Sequence, residues 1–245
     1  MFDHYFRKLI ELLSTIEKEE ADNIQAAAQK IAHCIQMGGI VHVFGCGHSH
    51  LLAEELFYRA GGLAAVNPLL IEDLMLHKGA VRSSQLEKQN DLAFQYLEMV
   101  DIQSRDVLIV ASTSGRNPFP INVAEWAKQK GAEVISISSL DYTDSVSTRH
   151  KNGIFLSDIA DIAIDSHIEV GDALMNHERL DYSFGSGSTV MGTAIVNSIM
   201  VQAVKMMSDN NFTPPVFKSG NIDGAEDHNN KLISKYKNRI PLLGN

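Results

Sequence analysis

The sequence predicts an α/β fold in which a five-stranded parallel sheet lies between two layers of helices, with a helical extension at the N-terminus. Two observations predict it. Short apolar segments rich in β-branched residues alternate with segments that have helical periodicity, as in parallel sheets covered on both faces. Polar loops containing glycine directly follow two of the apolar segments, where such folds place their ligands. We interpret residues 1–245 as one domain.

The predicted elements follow in order along the chain. Residues 3–37 have apolar side chains at helical spacing, and Gly38-Gly39 ends the pattern, so residues 1–37 form the helical extension. The predicted strands are residues 40–44, 69–71, 106–111, 133–137 and 159–164. The predicted helices between and after them are 51–60, 84–99, 120–130 and 189–207. The tail, 213–245, is polar, with a short helix near 231–237.

The composition excludes several classes of function. With 21 basic and 30 acidic residues, the net charge of −9 argues against a nucleic-acid surface and against attraction to an anionic membrane. Apolar stretches are broken well short of about 18 residues, so we expect no transmembrane helix and no signal peptide. The two cysteines, Cys34 and Cys46, suit a reducing compartment, and we predict a cytoplasmic protein.

The first polar loop, Gly45–His50, begins with G-x-G directly after a strand. This start is shared with dinucleotide-binding loops, but their sixth position is glycine or alanine, and here it is His50. The alternative ligand is a phosphate monoester, because a strand-to-helix turn presents free N–H groups. Gly47 allows the turn, Ser49 adds a hydroxyl donor, and His48 lies beside it.

The second polar loop offers the same chemistry more densely. Ser112, Thr113 and Ser114 supply three hydroxyls, Gly115 lets the backbone turn, and Asn117 can cap the next helix or touch a ligand. Either loop alone would be interpreted as ordinary turn and cap residues. Because two such loops each follow a buried strand, the phosphate interpretation is favoured. Residues 185–189 are predicted to cap the last long helix, with ligand contact by Ser188 as an alternative.

The two loops together resemble those of the SIS (sugar isomerase) domain family, and the whole chain looks like the UPF0309 group of that family. The resemblance rests on two motifs, G-x-G-x-S at 45–49 and S-T-S-G at 112–115, the latter followed by Asn117. The resemblance implies a flavodoxin-like five-stranded α/β/α sandwich that binds a phosphosugar and assembles as a homodimer or homotetramer. It also implies that the phosphate is held by the hydroxyls of Ser49, Ser112, Thr113 and Ser114. Phosphoheptose isomerases have a serine at the position of Asn117, whose contact is therefore a separate prediction.

An aldose–ketose isomerase also needs an acid/base pair. We predict Glu55, His77 and His228 as catalytic residues. Glu55 lies on the helix after the first loop, although that face could equally be solvated. His77 resembles the ring-opening histidine of the isomerase half of glucosamine-6-phosphate synthase, and its alternative is a surface histidine. His228 lies in a tail cluster of short polar side chains and could reach this site or a neighbour's.

Together, these residues and the resemblance predict a phosphosugar-binding protein that acts as a sugar-phosphate isomerase. The alternatives are an etherase or deaminase acting on amino-sugar phosphates, or a sensor that binds a phosphosugar without converting it. His48 and His50 have the H-x-H spacing of zinc ligands, and His77 and Cys46 could join them. The sequence lacks a second paired motif with ligand spacing, so we predict no metal and no cofactor. The predicted partners are a phosphorylated sugar or amino sugar and further copies of the chain, with no nucleic acid and no membrane.

Overall fold

The computed structural model describes residues 1–244. Within that range, five strands form one sheet in which all neighbours pair in parallel, in the order β2-β1-β3-β4-β5. This confirms the predicted fold class. The strands are β1 Val41–Gly45, β2 Val66–Pro68, β3 Val107–Ala111, β4 Glu133–Ser138 and β5 Ile162–Asp165.

The helices cover both faces of the sheet. Short 3₁₀ turns occur at Gly47–His50, Glu72–Leu74, Leu76–Lys78 and Pro241–Leu243. The α-helices are α1 Phe2–Glu19, α2 Ala21–Gln36, α3 Leu51–Leu56, α4 Ala80–Leu86, α5 Ala93–Leu97, α6 Pro118–Gln129, α7 Asp141–Ser145, α8 Leu156–Ile159, α9 Ser188–Asp209 and α10 Ala225–Tyr236.

Alternation along the strands divides the apolar core into two layers, because successive strand residues point to opposite faces. On β3, Val107 and Ile109 pack into a cluster with α1, α2, α3 and α9, whereas Leu108 and Val110 pack into a second cluster with α5, α6 and α8. β3 is apolar at every position, as a strand buried on both faces requires.

Several boundaries differ from the sequence expectation. β5 begins at Ile162 and not at 159, because residues 156–159 form α8. The tail helix α10 begins at Ala225 and not near 231. The second strand is Val66–Pro68 and not 69–71, and it is an edge strand, where the N–H that proline lacks is not needed. The helix after the first polar loop ends at Leu56 and not at residue 60, and Tyr58 beyond it has a left-handed φ of 43°. The helix expected over 84–99 is two short helices, α4 and α5, interrupted near Asp91, which has a φ of 64°. That interruption shapes the site described below.

The order of the strands fixes where a ligand can bind. β1 and β3 are neighbours in register, with Gly45 beside Ala111, although β2 lies between them in the chain. The loops after Gly45 and after Ala111 therefore leave the same edge of the sheet side by side. In open parallel sheets, this topological switch point is where crevices for ligands form.

α9 is long and apolar enough to cross a membrane by length and composition alone. It packs against α2 and α3, and 44% of its most apolar 18-residue window is buried inside the protein. Core helices of soluble proteins pass the same test, so this feature is weak evidence for a membrane span.

A buried polar network ties the C-terminal segment to the amino end of the sheet. Asp106, just before β3, accepts hydrogen bonds from Arg239 at 2.7 and 3.0 Å and from the backbone N–H of Ile40 at 2.9 Å. His42 Nε2 lies 3.4 Å from the same carboxylate, and its Nδ1 is 3.1 Å from the Asn67 amide. This end of the sheet is opposite to the two polar loops.

Candidate functional site

A cleft of about 270 Å³ opens at the carboxyl ends of β1 and β3. Its walls come from the two predicted loops, from α4 and the turn before it, from α7 and from the loop that follows β5. The lining residues are Cys46, Gly47, His48, Ser49, Leu76, Ser83, Ser84, Glu87, Ser112, Thr113, Ser114, Asn117, Tyr142 and Asp172. The predicted loop residues therefore converge in one cleft.

The first loop turns sharply from strand to helix. A Cβ atom on Gly45 would lie 2.5 Å from the backbone of Ser49, so only glycine allows the chain to fold back this closely. Gly47 has a left-handed φ of 55°, and the N–H of Ser49 bonds to the carbonyl of Cys46 at 3.0 Å. His50 Nδ1 contacts the Gly47 carbonyl, which commits this ring to the turn, whereas His48 lines the cleft.

The second loop is held by backbone hydrogen bonds to the neighbouring strand. The N–H of Ser112 bonds to the carbonyl of Ile137 at 3.0 Å, and the carbonyl of Thr113 accepts from Ser139 at 2.8 Å. Gly115 has a φ of 57°, and a Cβ atom there would lie only 3.3 Å from the Ser138 side chain. The hydroxyl side chains of this loop thus leave a fixed backbone and face the cleft beside Ser49.

A smaller pocket of about 20 Å³ adjoins the cleft at the start of α9 and shares Ser49, Ser112 and Thr113 with it. Ser188 and Thr189, in the first turn of α9, complete it together with Ser166. The residue Ser166 is only 4% exposed, and its hydroxyl has no hydrogen-bond partner among residues 1–244. The space accommodates one water molecule or one oxygen of a larger anion.

Asp172 closes one side of this region. Its carboxylate accepts the backbone N–H groups of Gly187 and Ser188 at 2.9 and 3.0 Å, and the Ser188 hydroxyl at 2.6 Å. The cap of α9 is therefore supplied from 16 residues upstream and not by residues 185–189 themselves, which corrects the sequence expectation. The carboxylate at this helix N-terminus is stabilised by the helix dipole.

Glu87 is the residue that sequence reasoning missed. It follows α4, lines the cleft and accepts a hydrogen bond from Asn117 Nδ2 at 2.9 Å. Burial raises the pKa of Glu87 above its usual range, and the charges of Lys88 and Arg149 partly oppose this. A carboxyl group with a raised pKa, in a polar cleft, has the properties of a general acid or base.

Asn117 lies in the cleft wall, but its amide is already engaged. It donates to Glu87 and accepts from Arg149 Nη1 at 2.7 Å, and its side chain does not cap α6. Asn117 therefore orients Glu87, a contact that is not apparent from the S-T-S-G-R-N pattern.

Cys46 also lines the cleft. Burial raises the pKa of its thiol well above the usual value, and the charge of Glu87 adds to the shift. The thiol is therefore protonated at neutral pH and is not poised as a nucleophile.

The three residues predicted as catalytic lie outside the cleft lining of this chain, and their catalytic role stays a prediction. The Glu55 carboxylate turns away to Arg59 and to Asn197 Nδ2, the latter at 2.8 Å. His77 is exposed on a 3₁₀ turn whose neighbour Leu76 lines the cleft. His228, on α10, contacts the carbonyl of Val216 at 2.8 Å and so packs against its own tail segment.

Known proteins resemble this chain in sequence and in fold. The SIS domain family model matches residues 4–139, which include both polar loops and Glu87. The chain belongs to the SIS domain family. A UPF0309 protein from Halalkalibacterium halodurans is 52% identical over 243 residues, covering 99% of this chain and 97% of the relative. A UPF0309 protein from Geobacillus thermodenitrificans is 51% identical, covering 99% and 98%.

Solved structures with the SIS fold share the architecture at low sequence identity. A phosphoheptose isomerase from Neisseria gonorrhoeae superposes with a TM-score of 0.55 at 16% identity, covering 84% of this chain and 97% of the isomerase. A protein from Bacteroides fragilis, assigned as a phosphosugar isomerase involved in capsule formation, gives a TM-score of 0.52 at 16% identity, covering 93% of this chain and 94% of that protein. At these identities the likeness establishes the fold alone.

Proposed function

We propose that this protein binds a phosphorylated sugar or amino sugar and isomerises it, with Glu87 as the general base. One observation carries the proposal: a cluster of hydroxyl groups and a half-buried carboxyl group share a cleft at the switch point of the sheet. The phosphosugar isomerases among the SIS-fold structures support it.

The phosphate would be held by Ser49, Ser112 and Thr113, which line both the cleft and the small pocket. Their hydroxyls can donate to phosphate oxygens, and the unpartnered Ser166 hydroxyl can accept or donate a further bond. This mode of binding suits a protein of net charge −9, because it depends on local donors and not on an overall positive field. Ser114, Gly47 and His48 would contact the sugar beyond the phosphate.

The chemistry requires a proton to leave one carbon and reach its neighbour. Glu87 would take up that proton in its ionised form, and the hydrogen bond from Asn117 would hold the carboxylate in place. A general base of this kind contributes about 100- to 10,000-fold. His48, which lines the cleft, is the proposed partner for protonation of the sugar oxygen.

Two alternatives use the same cleft. An etherase or deaminase acting on an amino-sugar phosphate would also need a base next to the phosphate, and Glu87 could supply it. A sensor would need the hydroxyl cluster but not the half-buried carboxyl group of Glu87. Because burying a carboxyl group costs free energy, Glu87 favours an enzyme over a sensor.

We further propose that the protein is cytoplasmic and assembles with copies of itself through α1. Phe2, Phe6, Ile10 and Leu13 recur at helical spacing on the outer side of α1 and are between 38% and 79% exposed. An apolar stripe of this kind is typical of a helix that pairs with a second helix. The same stripe on a second copy is the occupant that we propose.

A panel of sugar 6-phosphates and N-acetylamino-sugar phosphates tests the function. Each compound is screened by thermal shift, and each hit is incubated with the protein and followed by mass spectrometry and NMR. A ligand at about 100 times its Kd stabilises by about 2.7 kcal/mol, which is easily detected. The matched control is the Glu87→Gln variant, which should retain the shift and lose turnover.

Each outcome assigns a class. Conversion at constant mass supports the isomerase, whereas ether cleavage or loss of ammonia changes the mass and supports the alternatives. Binding of several hits without conversion would favour the sensor. If no phosphorylated sugar shifts the melting temperature, the proposal is overturned.

A further inference from the structure

Two arginines adjoin the cleft next to the second loop. Arg116 follows Gly115 directly, and the backbone N–H of Arg149 bonds to the carbonyl of Arg116 at 2.9 Å. Thr148 Oγ1 contacts the same carbonyl at 3.3 Å, so the segment around 148–149 is docked on the second loop. The two positive side chains therefore start from neighbouring points of the backbone.

Both arginines are connected to residues that line the cleft. Arg149 Nη1 donates to Asn117 Oδ1 at 2.7 Å, and Asn117 in turn contacts Glu87. Arg116 lies close enough to Tyr142 for the two side chains to interact electrostatically, and Tyr142 is part of the cleft wall. The pair is thus connected to the cleft wall, and Arg149 reaches the proposed base through Asn117.

Neither guanidinium has a carboxylate partner within 4 Å among residues 1–244, which distinguishes this pair from several other arginines of the chain. Those others form ion pairs with acidic side chains: Arg7 with Asp3, Arg59 with Glu55, Arg82 with Asp73, and Arg239 with Asp101 and Asp106. In a chain with 30 acidic residues, two adjacent arginines without such a partner are notable.

The local environment opposes two positive charges. The Nε of Arg116 is buried and has no hydrogen-bond partner in the described part of the chain. Burial lowers the pKa of Arg116, and the positive charge of Arg149 lowers it further. A buried donor without a partner and a repulsive pair both cost stability, and an anion between or beside the two groups would remove both costs.

We propose that Arg116 and Arg149 bind a second anionic group of the substrate, a carboxylate or a second phosphate, at the end remote from the hydroxyl cluster. This inference rests on the proposed function, because the hydroxyl cluster would hold the first phosphate. Guanidinium groups match such anions through two parallel N–H donors. The substrate class narrows accordingly to phosphosugars or sugar-acid phosphates with two anionic ends.

Matched open-chain ligands test this by isothermal titration calorimetry. Sorbitol 6-phosphate and 6-phosphogluconate have the same six carbons and differ at one end, where a hydroxymethyl group replaces a carboxylate. Erythritol 4-phosphate and 4-phosphoerythronate make the same comparison over a shorter span, and sorbitol 1,6-bisphosphate replaces the carboxylate with a phosphate. Inorganic phosphate reports on the hydroxyl cluster alone.

We expect the doubly anionic member of at least one pair to bind the wild type at least about tenfold more tightly than its partner, as charge-assisted hydrogen bonds imply. Arg116→Gln and Arg149→Gln should reduce that gain to about twofold or less, with the affinity for sorbitol 6-phosphate nearly unchanged. Arg105→Gln is the control, because Arg105 precedes β3 at the opposite end of the sheet and its loss changes the net charge equally. Thermal melting of each variant verifies folding.

The failures are distinguishable. If the singly phosphorylated ligands bind and no doubly anionic ligand gains affinity, the second anion site is refuted and the proposed function stands. The same holds if the gain persists in both arginine variants, or if Arg105→Gln removes it equally. If neither inorganic phosphate nor any probe binds the wild type, the hydroxyl cluster is not a phosphate site and both proposals fall.

Discussion

Glu87 combines two opposing properties at a single residue. Its burial disfavours the ionised carboxylate, which is the form that acts as a base. Because the pKa in the folded protein is raised above the ordinary value of 4.5, ionisation is completed only at higher pH than for an exposed glutamate. Activity that depends on Glu87 should therefore rise with pH through this raised pKa.

Replacing Glu87 by Gln tests both consequences. We expect turnover to fall about 100- to 10,000-fold with little change in ligand binding, because the amide keeps the shape but cannot accept the proton. Stability should move the other way. The native state binds the Glu87 proton more readily than the unfolded state, so the wild type loses stability as pH rises above 4.5, and the variant should melt higher at pH 7 but not near pH 4.

Glu98→Gln is the matched control, since Glu98 is exposed after α5. Rates from pH 5 to 9 and melting curves at pH 4 and 7 make the comparison. An unchanged rate in the Glu87 variant would remove it from the mechanism, and a lower melting temperature at pH 7 would contradict the effect of burial.

At Asp106, far from the cleft, the pKa is shifted in the opposite direction to that of Glu87. Burial favours its protonated form, but hydrogen bonds from His42, Arg239 and the Ile40 backbone dominate and hold the pKa of Asp106 well below its usual 3.8. The stability that this carboxylate contributes is therefore fully present above about pH 4. It is lost as pH falls below that value towards the folded pKa.

Asp106→Asn should cost about 3–5 kcal/mol of unfolding free energy at pH 7, because it leaves the partly buried guanidinium of Arg239 without its main partner. Urea unfolding measures the change. Asp101→Asn removes a more exposed partner of the same arginine and should cost less than about 1 kcal/mol. Equal losses in the two variants would mean that burial does not set the strength of this pair.

At the scale of elements, the first loop depends on the absence of one side chain. Gly45→Ala would place a Cβ atom 2.5 Å from the backbone of Ser49, so the turn must open. We expect a loss of about 1–3 kcal/mol in stability and weaker phosphate binding, because the Ser49 hydroxyl moves with its backbone. Gly220→Ala is the control, as a Cβ atom there meets nothing within 4 Å. Unchanged phosphate affinity in Gly45→Ala would show that Ser49 is not a ligand.

The strands and loops could be predicted from the sequence where their signal lies in neighbouring residues. Both loops, the fold class and the convergence of Ser49 with Ser112 follow from strands bounded by glycine and from the geometry of parallel sheets. Glu87 could not be found in this way, because it is distinguished by burial against a loop 30 residues later. The sequence signal nearest to it is the polar run 87–91, at which α4 ends and which lies inside the helix predicted over 84–99.

Glu55 shows how long-range contacts direct a side chain that local pattern alone cannot orient. Its spacing from Ser49 was compatible with the site, but the amino-acid sequence does not reveal that Arg59 and Asn197 bind its carboxylate from the other side. The same holds for His228, whose partner is a backbone carbonyl. Long-range partners, and not local pattern, decide which polar residue of a helix enters a cleft.

At the scale of the whole molecule, the exposed stripe on α1 should determine assembly. We expect a dimer or tetramer for the wild type in sedimentation equilibrium and a smaller species for the double variant Phe6→Glu, Ile10→Glu, because charges cannot be buried in a helix pair without cost. Met99→Glu, at a position 95% exposed elsewhere on the surface, is the control. A monomeric wild type, or an unchanged mass in the double variant, would contradict α1 as the interface.

The negative charge of the whole molecule restricts how phosphate can bind to it. A protein of net charge −9 repels phosphate at long range, so measured binding must come from local donors. The most direct measurement is calorimetric titration of inorganic phosphate into the wild type, Ser112→Ala and Ser208→Ala. Ser208 lies near the far end of α9, and its hydroxyl contacts only its own helix.

We expect the wild type and Ser208→Ala to bind phosphate with the same affinity and Ser112→Ala to bind it at least about tenfold more weakly, as the loss of a hydrogen bond to a charged group implies. Equal affinity in all three proteins, or no binding to the wild type, would contradict the account that the hydroxyl cluster between β1 and β3 is a phosphate site.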